Sequence, residues 1–156
     1  MPRQTVRQRL TRTLDRIKKA DEYAFYHDPV DLNEVPDYMT VIAQPMCLAD
    51  MREKLEAGVY DVPGVGIDMM EADLKLICAN GREYNDEDSK YYQVAVSLEK
   101  RGLALIDTCR GQLAKLAADD AAEERERMAE QAKEEAEEAG RAAALREARM
   151  ARPSSA

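Results

Sequence analysis

The sequence predicts an all-α fold, a four-helix bundle with one long loop between the first two helices. Three observations carry this expectation. Large apolar residues recur at three- to four-residue steps in four separate stretches, the period of one buried helix face. Breaker-rich segments divide the stretches: Pro29, Pro36 and Pro45 in the first gap, Pro63-Gly64 and Gly66 in the second, and the polar run Asn85–Ser89 in the third. The first gap is too irregular for a helix and alternates too poorly for a strand.

The elements follow in order. Val6, Leu10, Leu14, Ile17 and Tyr23 mark an amphipathic first helix over about residues 3–22. The proline loop runs to about Met46. Leu48, Met51 and Leu55 share a face of a short second helix, about 48–57, which Gly58 ends. After the turn 61–66, Ile67, Met70, Leu74, Ile77, Cys78 and Gly81 face inward on a third helix ending near Tyr84. Asp68 and Glu71 favour its start through the helix dipole. Asp88 or Ser89 caps the fourth helix, whose apolar residues Val94, Leu98, Leu105, Ile106, Leu113 and Leu116 carry it to about Ala118. Short connections make helices two and three antiparallel, and likewise three and four. The long loop, the end of helix three and the start of helix four therefore meet at one end, where Tyr38, Asn85 and Tyr91 come together.

The expected organisation is a bundle over 3–118 and an extension over 119–156. Residues 119–152 hold eleven acids, seven bases and eleven alanines, with only Met128, Leu145 and Met150 as large apolar residues. Helix propensity is high, and pairs such as Glu123–Arg127 lie four apart, but no heptad of apolar residues persists. The extension reads as a solvated helix continuing helix four; a partner-binding or oligomerising helix is the alternative. Residues 152–156 read as a frayed end.

The net charge of −8 argues against dependence on phosphate backbones, and direct nucleic-acid contact is not expected. Charge is uneven. Residues 1–20 carry seven bases against Asp15, or +6, leaving −14 for the rest. The basic stretch reads as a solvated helix face. Apolar runs are far too short to span a membrane and the N-terminus lacks the apolar centre of a signal peptide, so a soluble intracellular protein is expected. Cys47, Cys78 and Cys109 are widely spaced, and the single histidine, His27, leaves no zinc pattern. Cys78 and Cys109 fit core positions. Cys47 is a partly buried loop thiol or a reactive one near a pocket.

The long loop carries Val30, Val35, Tyr38, Val41 and Ile42, too much apolar material for a disordered segment. It packs on the domain and shapes a pocket. Here the chain resembles the bromodomains. The matching pieces stand in order: Pro29-Val30, Pro36-Asp37-Tyr38, Val41-Ile42, Pro45-Met46, Lys54-Leu55, Gly58-Val59-Tyr60, Asp73-Leu74, Asn80, Tyr84-Asn85 and Ser89. They cover roughly residues 5–116. The ordered set, not any one piece, carries the resemblance. It implies a left-handed four-helix bundle and a non-catalytic module that binds acetylated lysine.

Acetylation turns the lysine ammonium into a neutral amide. Its reader needs an apolar tube and a donor for the carbonyl. The resemblance places Asn85 as that donor, a role an ionised carboxylate could not fill; alone, an Asn there would read as a helix-end cap. It places Tyr38 on the same carbonyl through a water, Val30 and Val35 on the tube walls, and Tyr91 at the entrance. Tyr26 keeps the aromatic of the outer shelf, Pro29 after it belongs to the ligand-binding set, and Tyr84 packs beneath the pocket. The shelf departs from the family's common Trp-Pro-Phe: here it is Ala24-Phe25-Tyr26. Seven acids rim the two loops, Asp28, Asp31, Glu34, Asp37, Asp86, Glu87 and Asp88, a field that suits basic histone tails.

The implied function is a reader of acetylated histone tails in chromatin and transcription regulation, nuclear, without a cofactor and not an enzyme. No hydrolase, metalloprotease or phosphate-loop motif is present. The alternative is a degenerate bromodomain serving as an interaction module through its C-terminal helix. Because 119–152 carries almost no apolar face, truncation after Ala118 is expected to leave the melting temperature and peptide affinity nearly unchanged. A loss of several degrees in a thermal melt would show that the extension docks on the bundle.

Overall fold

The computed structural model describes residues 2–153. All regular structure among them is helical: α1 (Val6–Ala20), α2 (Tyr38–Val41), α3 (Leu48–Glu56), a 3-10 turn (Val59–Asp61), α4 (Gly66–Tyr84) and α5 (Lys90–Met150). The four long helices stand where the apolar spacing predicts them. The chain divides into two compact units, one ending at Ala114 and one beginning at Lys115.

A capping box starts α1. Thr5 Oγ1 accepts from the Gln8 N–H (3.1 Å), and Gln8 Oε1 accepts from the Thr5 N–H (2.9 Å). Leu10, Leu14 and Ile17 are buried as expected. Tyr23, expected on the same face, is not part of it: the ring is 49% exposed. The helix ends first, because the buried Asp21 carboxylate accepts the N–H groups of Phe25 (3.2 Å) and Tyr26 (2.7 Å). Ala24 takes the left-handed φ of 56°, rare for a residue with a Cβ, and the chain leaves the helix axis there.

The proline loop is not wholly irregular. Tyr38–Val41 forms one helical turn, steadied by the Asp37 carbonyl, which accepts the Thr40 N–H (3.0 Å) and hydroxyl (2.6 Å). Tyr38 and Ile42 are buried, while Val41 is exposed. The base of the loop is clamped to α3. The first N–H groups of a helix lack intrahelical partners; here those of Leu48 and Ala49 donate to the carbonyls of Tyr26 and His27, both at 2.9 Å. Cys47 precedes α3 with its N–H on Asp50 Oδ2 (3.1 Å). Gly58, at φ 82°, ends the helix in the left-handed region that favours glycine.

In the first unit the core gathers Leu10, Leu14 and Ile17 of α1, Met51 and Leu55 of α3, Met70, Leu74 and Ile77 of α4, and Leu98 and Ile106 of α5. Full burial of each such side chain contributes about 1.5–3 kcal/mol. One buried polar knot crosses it. Asp73 accepts from the Tyr60 hydroxyl (2.5 Å) and from Lys54 Nζ (3.0 Å), joining the 3-10 turn, α3 and α4. Burial, with Asp73 second, holds the Tyr60 phenol well above its usual pKa. Ser89 caps α5: its hydroxyl accepts the Tyr92 N–H (3.2 Å).

The second unit is helical to Met150, with Met128, Leu145 and Met150 exposed and an Arg127–Glu124 ion pair. The frayed end predicted for 152–156 lies mostly outside the described residues. Among those described, no helix is long and apolar enough to cross a membrane.

All three thiols are buried and free. Burial pushes Cys47 up to about 11 and Cys78 up to about 12, and raises Cys109. An unfolded cysteine titrates near pH 8.5. The native state therefore holds these protons more tightly. Their contribution to stability is fully present below about pH 8.5 and is lost as pH rises towards 11 and 12. Urea midpoints measured from pH 7 to 10.5 are expected to fall above about pH 9; a flat or rising series would contradict the protonated, buried thiols.

Candidate functional site

Three segments build the site: the loop between α1 and α3, the end of α4, and the start of α5. Each tie has a local cause. The two N–H bonds to Asp21 aim Phe25 and Tyr26 back over the bundle. The Tyr26 hydroxyl donates to the Tyr91 carbonyl at 2.6 Å and so ties the loop to α5. That crossing requires Gly81 beneath it, since a Cβ there would stand 2.5 Å from the Tyr26 hydroxyl oxygen. The Asn80 amide donates to the Gln44 carbonyl (2.7 Å), fixing the far end of the loop on α4. The Tyr84 hydroxyl donates to Asp37 Oδ1 (2.8 Å), which raises its pKa, and the Tyr84 ring meets Tyr38 edge-on at 4.9 Å.

The loop is thereby held off the helix ends, leaving a cavity of about 530 Å³. Of the residues predicted for the site, Asn85, Tyr38, Val30, Val35, Tyr26, Tyr91 and Tyr84 all line it. Pro29 does not; it is exposed. Asp28 and Val30 on either side of it do line the cavity. Tyr26 lines the cavity and also serves as a tie. It is half-buried and links two segments, and its phenol is raised far above its usual pKa, first by burial.

Phe25, Asn80, Gly81, Met46, Cys47 and Ile77 also line the cavity but are not among the residues predicted to bind the ligand. Asn80 and Gly81 carried a usable signal. An amide on the inward face of a helix needs a partner, and an inward glycine marks a close approach. Phe25 carried none. Its ring lies 4.1 Å from Tyr91 and 5.3 Å from Tyr23, and Lys90 Nζ sits 3.8 Å over the Tyr23 ring, so an aromatic stack flanks the mouth.

Inside, the chemistry is neutral. Asn85 is half-buried and ends α4: its amide donates to the Gly81 carbonyl at 2.8 Å. An amide has two N–H donors and an oxygen; one donor is used, and no further bond of this side chain forms among the described residues. Tyr38 is 7% exposed, its pKa raised by burial and then by Glu83. Cys47, at about 11, keeps its proton and serves as apolar wall rather than as a reactive thiolate. The seven rim acids are all exposed; Asp28 and Glu34 stand at the cavity itself. His27 lies outside, its Nε2 3.0 Å from the Lys18 carbonyl and 3.6 Å from Asp21 Oδ2. Among the described residues no group of three or more His, Cys, Asp or Glu is placed to share a metal ion.

Comparison with known proteins agrees with this geometry. The bromodomain family model matches residues 10–97. The bromodomain and PHD finger-containing protein 3 of Mus musculus is 34% identical over 110 residues, 70% of this chain and 9% of that protein. Histone acetyltransferase GCN5 of Oryza sativa subsp. japonica is 35% identical over 100 residues, 61% of this chain and 19% of that protein. The chain thus spans a small part of the relatives it matches. A Trypanosoma brucei bromodomain crystallised with bromosporine aligns with a TM-score of 0.60 and 31% identity over 66% of this chain and 86% of that one. The shared architecture is the left-handed four-helix bundle. With the family pattern spanning more than half of its length and the helices and cavity in place, the chain belongs to the bromodomain family, whose domains read acetylated lysine.

Proposed function

We propose that the cavity of this chain binds acetylated lysine on histone tails, without a catalytic step, and that the protein acts as a nuclear chromatin factor in transcription regulation. The observation that carries the reading is Asn85, a neutral donor at an apolar-walled cavity with one N–H held on Gly81 and the other available. The acetyl carbonyl accepts from that N–H. Tyr38 reaches the same oxygen through a water. Val30 and Val35 flank the lysine stem, and Tyr91, stacked on Phe25, closes over it. The carboxylates at the cavity, Asp28 and Glu34, are exposed, so a charged ammonium entering it gains no buried partner and is disfavoured by desolvation. The exposed rim acids attract the basic residues around the mark.

Two expectations follow from this site. Asn85→Ala removes the donor and strands the ligand carbonyl, which costs about 1–3 kcal/mol, or roughly 5- to 150-fold in affinity. It also removes the bond to Gly81, so a melting point a few degrees lower is expected with the helical circular dichroism signal intact. Titration calorimetry with an acetylated histone peptide measures the first effect; a folded variant that binds like wild type would remove Asn85 from the site.

The second concerns salt. Affinity for the acetylated peptide is expected to be micromolar or weaker and to fall as ionic strength rises, because exposed rim charges are screened within about 10 Å at 0.1 M. Preference for acetylated over unmodified peptide is expected to persist at high salt, since it originates in the neutral cavity. Equal binding of the two peptides in fluorescence anisotropy would assign recognition to the rim instead.

A further inference from the structure

A second concavity, of about 130 Å³, lies between α1 and α5, away from the acetyl-lysine cavity. Arg9, Arg12 and Arg16 line one side, with Thr108 and Gln112 of α5 opposite. The arginines fall at i, i+3 and i+7, so they share one helix face over about 10.5 Å of axis. Of the other charges on α1, Arg7 pairs with Asp61 (2.6 Å) and Asp15, the only acid of the helix, pairs with Arg52, while Lys18 and Lys19 stand in the last turn, where the helix dipole favours cations. Arg9, Arg12 and Arg16 form no ion pair with the described residues. Arg9 Nε is buried without a hydrogen-bond partner.

This arrangement works against the fold. Like charges three and four apart repel. The first turn of α1 holds no acid, so its cations stand at the positive end of the helix dipole. A buried donor without a partner calls for an unseen acceptor. We infer that this groove binds a compact, multiply charged phosphate anion. The guanidinium forks match phosphate oxygens in pairs, and the Gln112 amide adds a donor opposite. The groove is sized for a short oligophosphate. A long polyanion is disfavoured by the net charge of −8. The site shares no lining residue with the acetyl-lysine cavity, so it stands or falls independently.

The test is calorimetry and thermal melting of the full chain with tripolyphosphate at low ionic strength. Wild type is expected to bind and to melt higher as the anion is added. Arg12→Gln/Arg16→Gln is expected to bind at least about tenfold more weakly, to melt no lower than wild type without the anion because repulsion is relieved, and to keep its acetylated-peptide affinity. Arg12→Gln alone, at an exposed position, serves should the double variant lose its helical signal; the same direction of change is expected. Absence of both heat and melting shift in wild type, or equal binding by the variants, would overturn the proposal. So would binding of a short DNA duplex at concentrations where tripolyphosphate does not bind, which would make the groove a stripe for nucleic-acid backbones.

Discussion

The buried carboxylate of Asp21 is the interaction on which the site depends. It lies at the end of α1, 2% exposed, and accepts the N–H groups of Phe25 and Tyr26. Hydrogen bonds to a charged group contribute about 1.5–3 kcal/mol each, enough to hold Ala24 in its unfavourable left-handed turn. Everything downstream inherits that turn. Tyr26 arrives over Gly81 and reaches the Tyr91 carbonyl; Phe25 arrives beside the Tyr91 ring; the Tyr26 and His27 carbonyls meet the open N–H groups of α3. A loop of this length carries a large ordering cost. It stays in place because its polar groups double as caps and ties for the helices it crosses.

The same economy of groups appears at Asn85. One N–H of its amide completes the end of α4 on Gly81, and the residue lines the cavity. The reading of this residue as a helix cap and its reading as a ligand donor are therefore compatible, because an amide has two donors. Around it the interior is kept neutral: Cys47 is protonated and the phenols of Tyr26 and Tyr38 are raised by burial. Charge is confined to the rim, where water stabilises it. In the function proposed above, the interior discriminates a neutral amide from an ammonium while the rim governs the approach of a basic peptide.

Charge is also segregated along the chain. The cations of α1 and the acids of the two loops lie on different parts of the first unit. A net charge of −8 therefore describes no particular surface. The arginine face of α1 is a place where local charge runs opposite to the total, and its unpaired guanidiniums distinguish it from an ordinary solvated helix face.

The sequence by itself determined the four long helices, their stops at Gly58 and Tyr84, and the core faces, because apolar spacing and breakers are local properties that burial only reinforces. It also determined most of the cavity lining, since the ordered motif pieces fix which end of the bundle the loop covers. Only the tertiary structure decided the rest. Tyr23 looked inward by spacing, but a carboxylate bonding forward to Phe25 and Tyr26 ended the helix before it. Pro29 and Val30 are adjacent in sequence, yet only Val30 lines the cavity. Phe25 became part of the mouth by stacking on a residue sixty-six positions away. Asn80 acquired its role from the Gln44 carbonyl, thirty-six positions away. These outcomes rest on non-local hydrogen bonds and ring contacts, which leave no periodic trace in the chain.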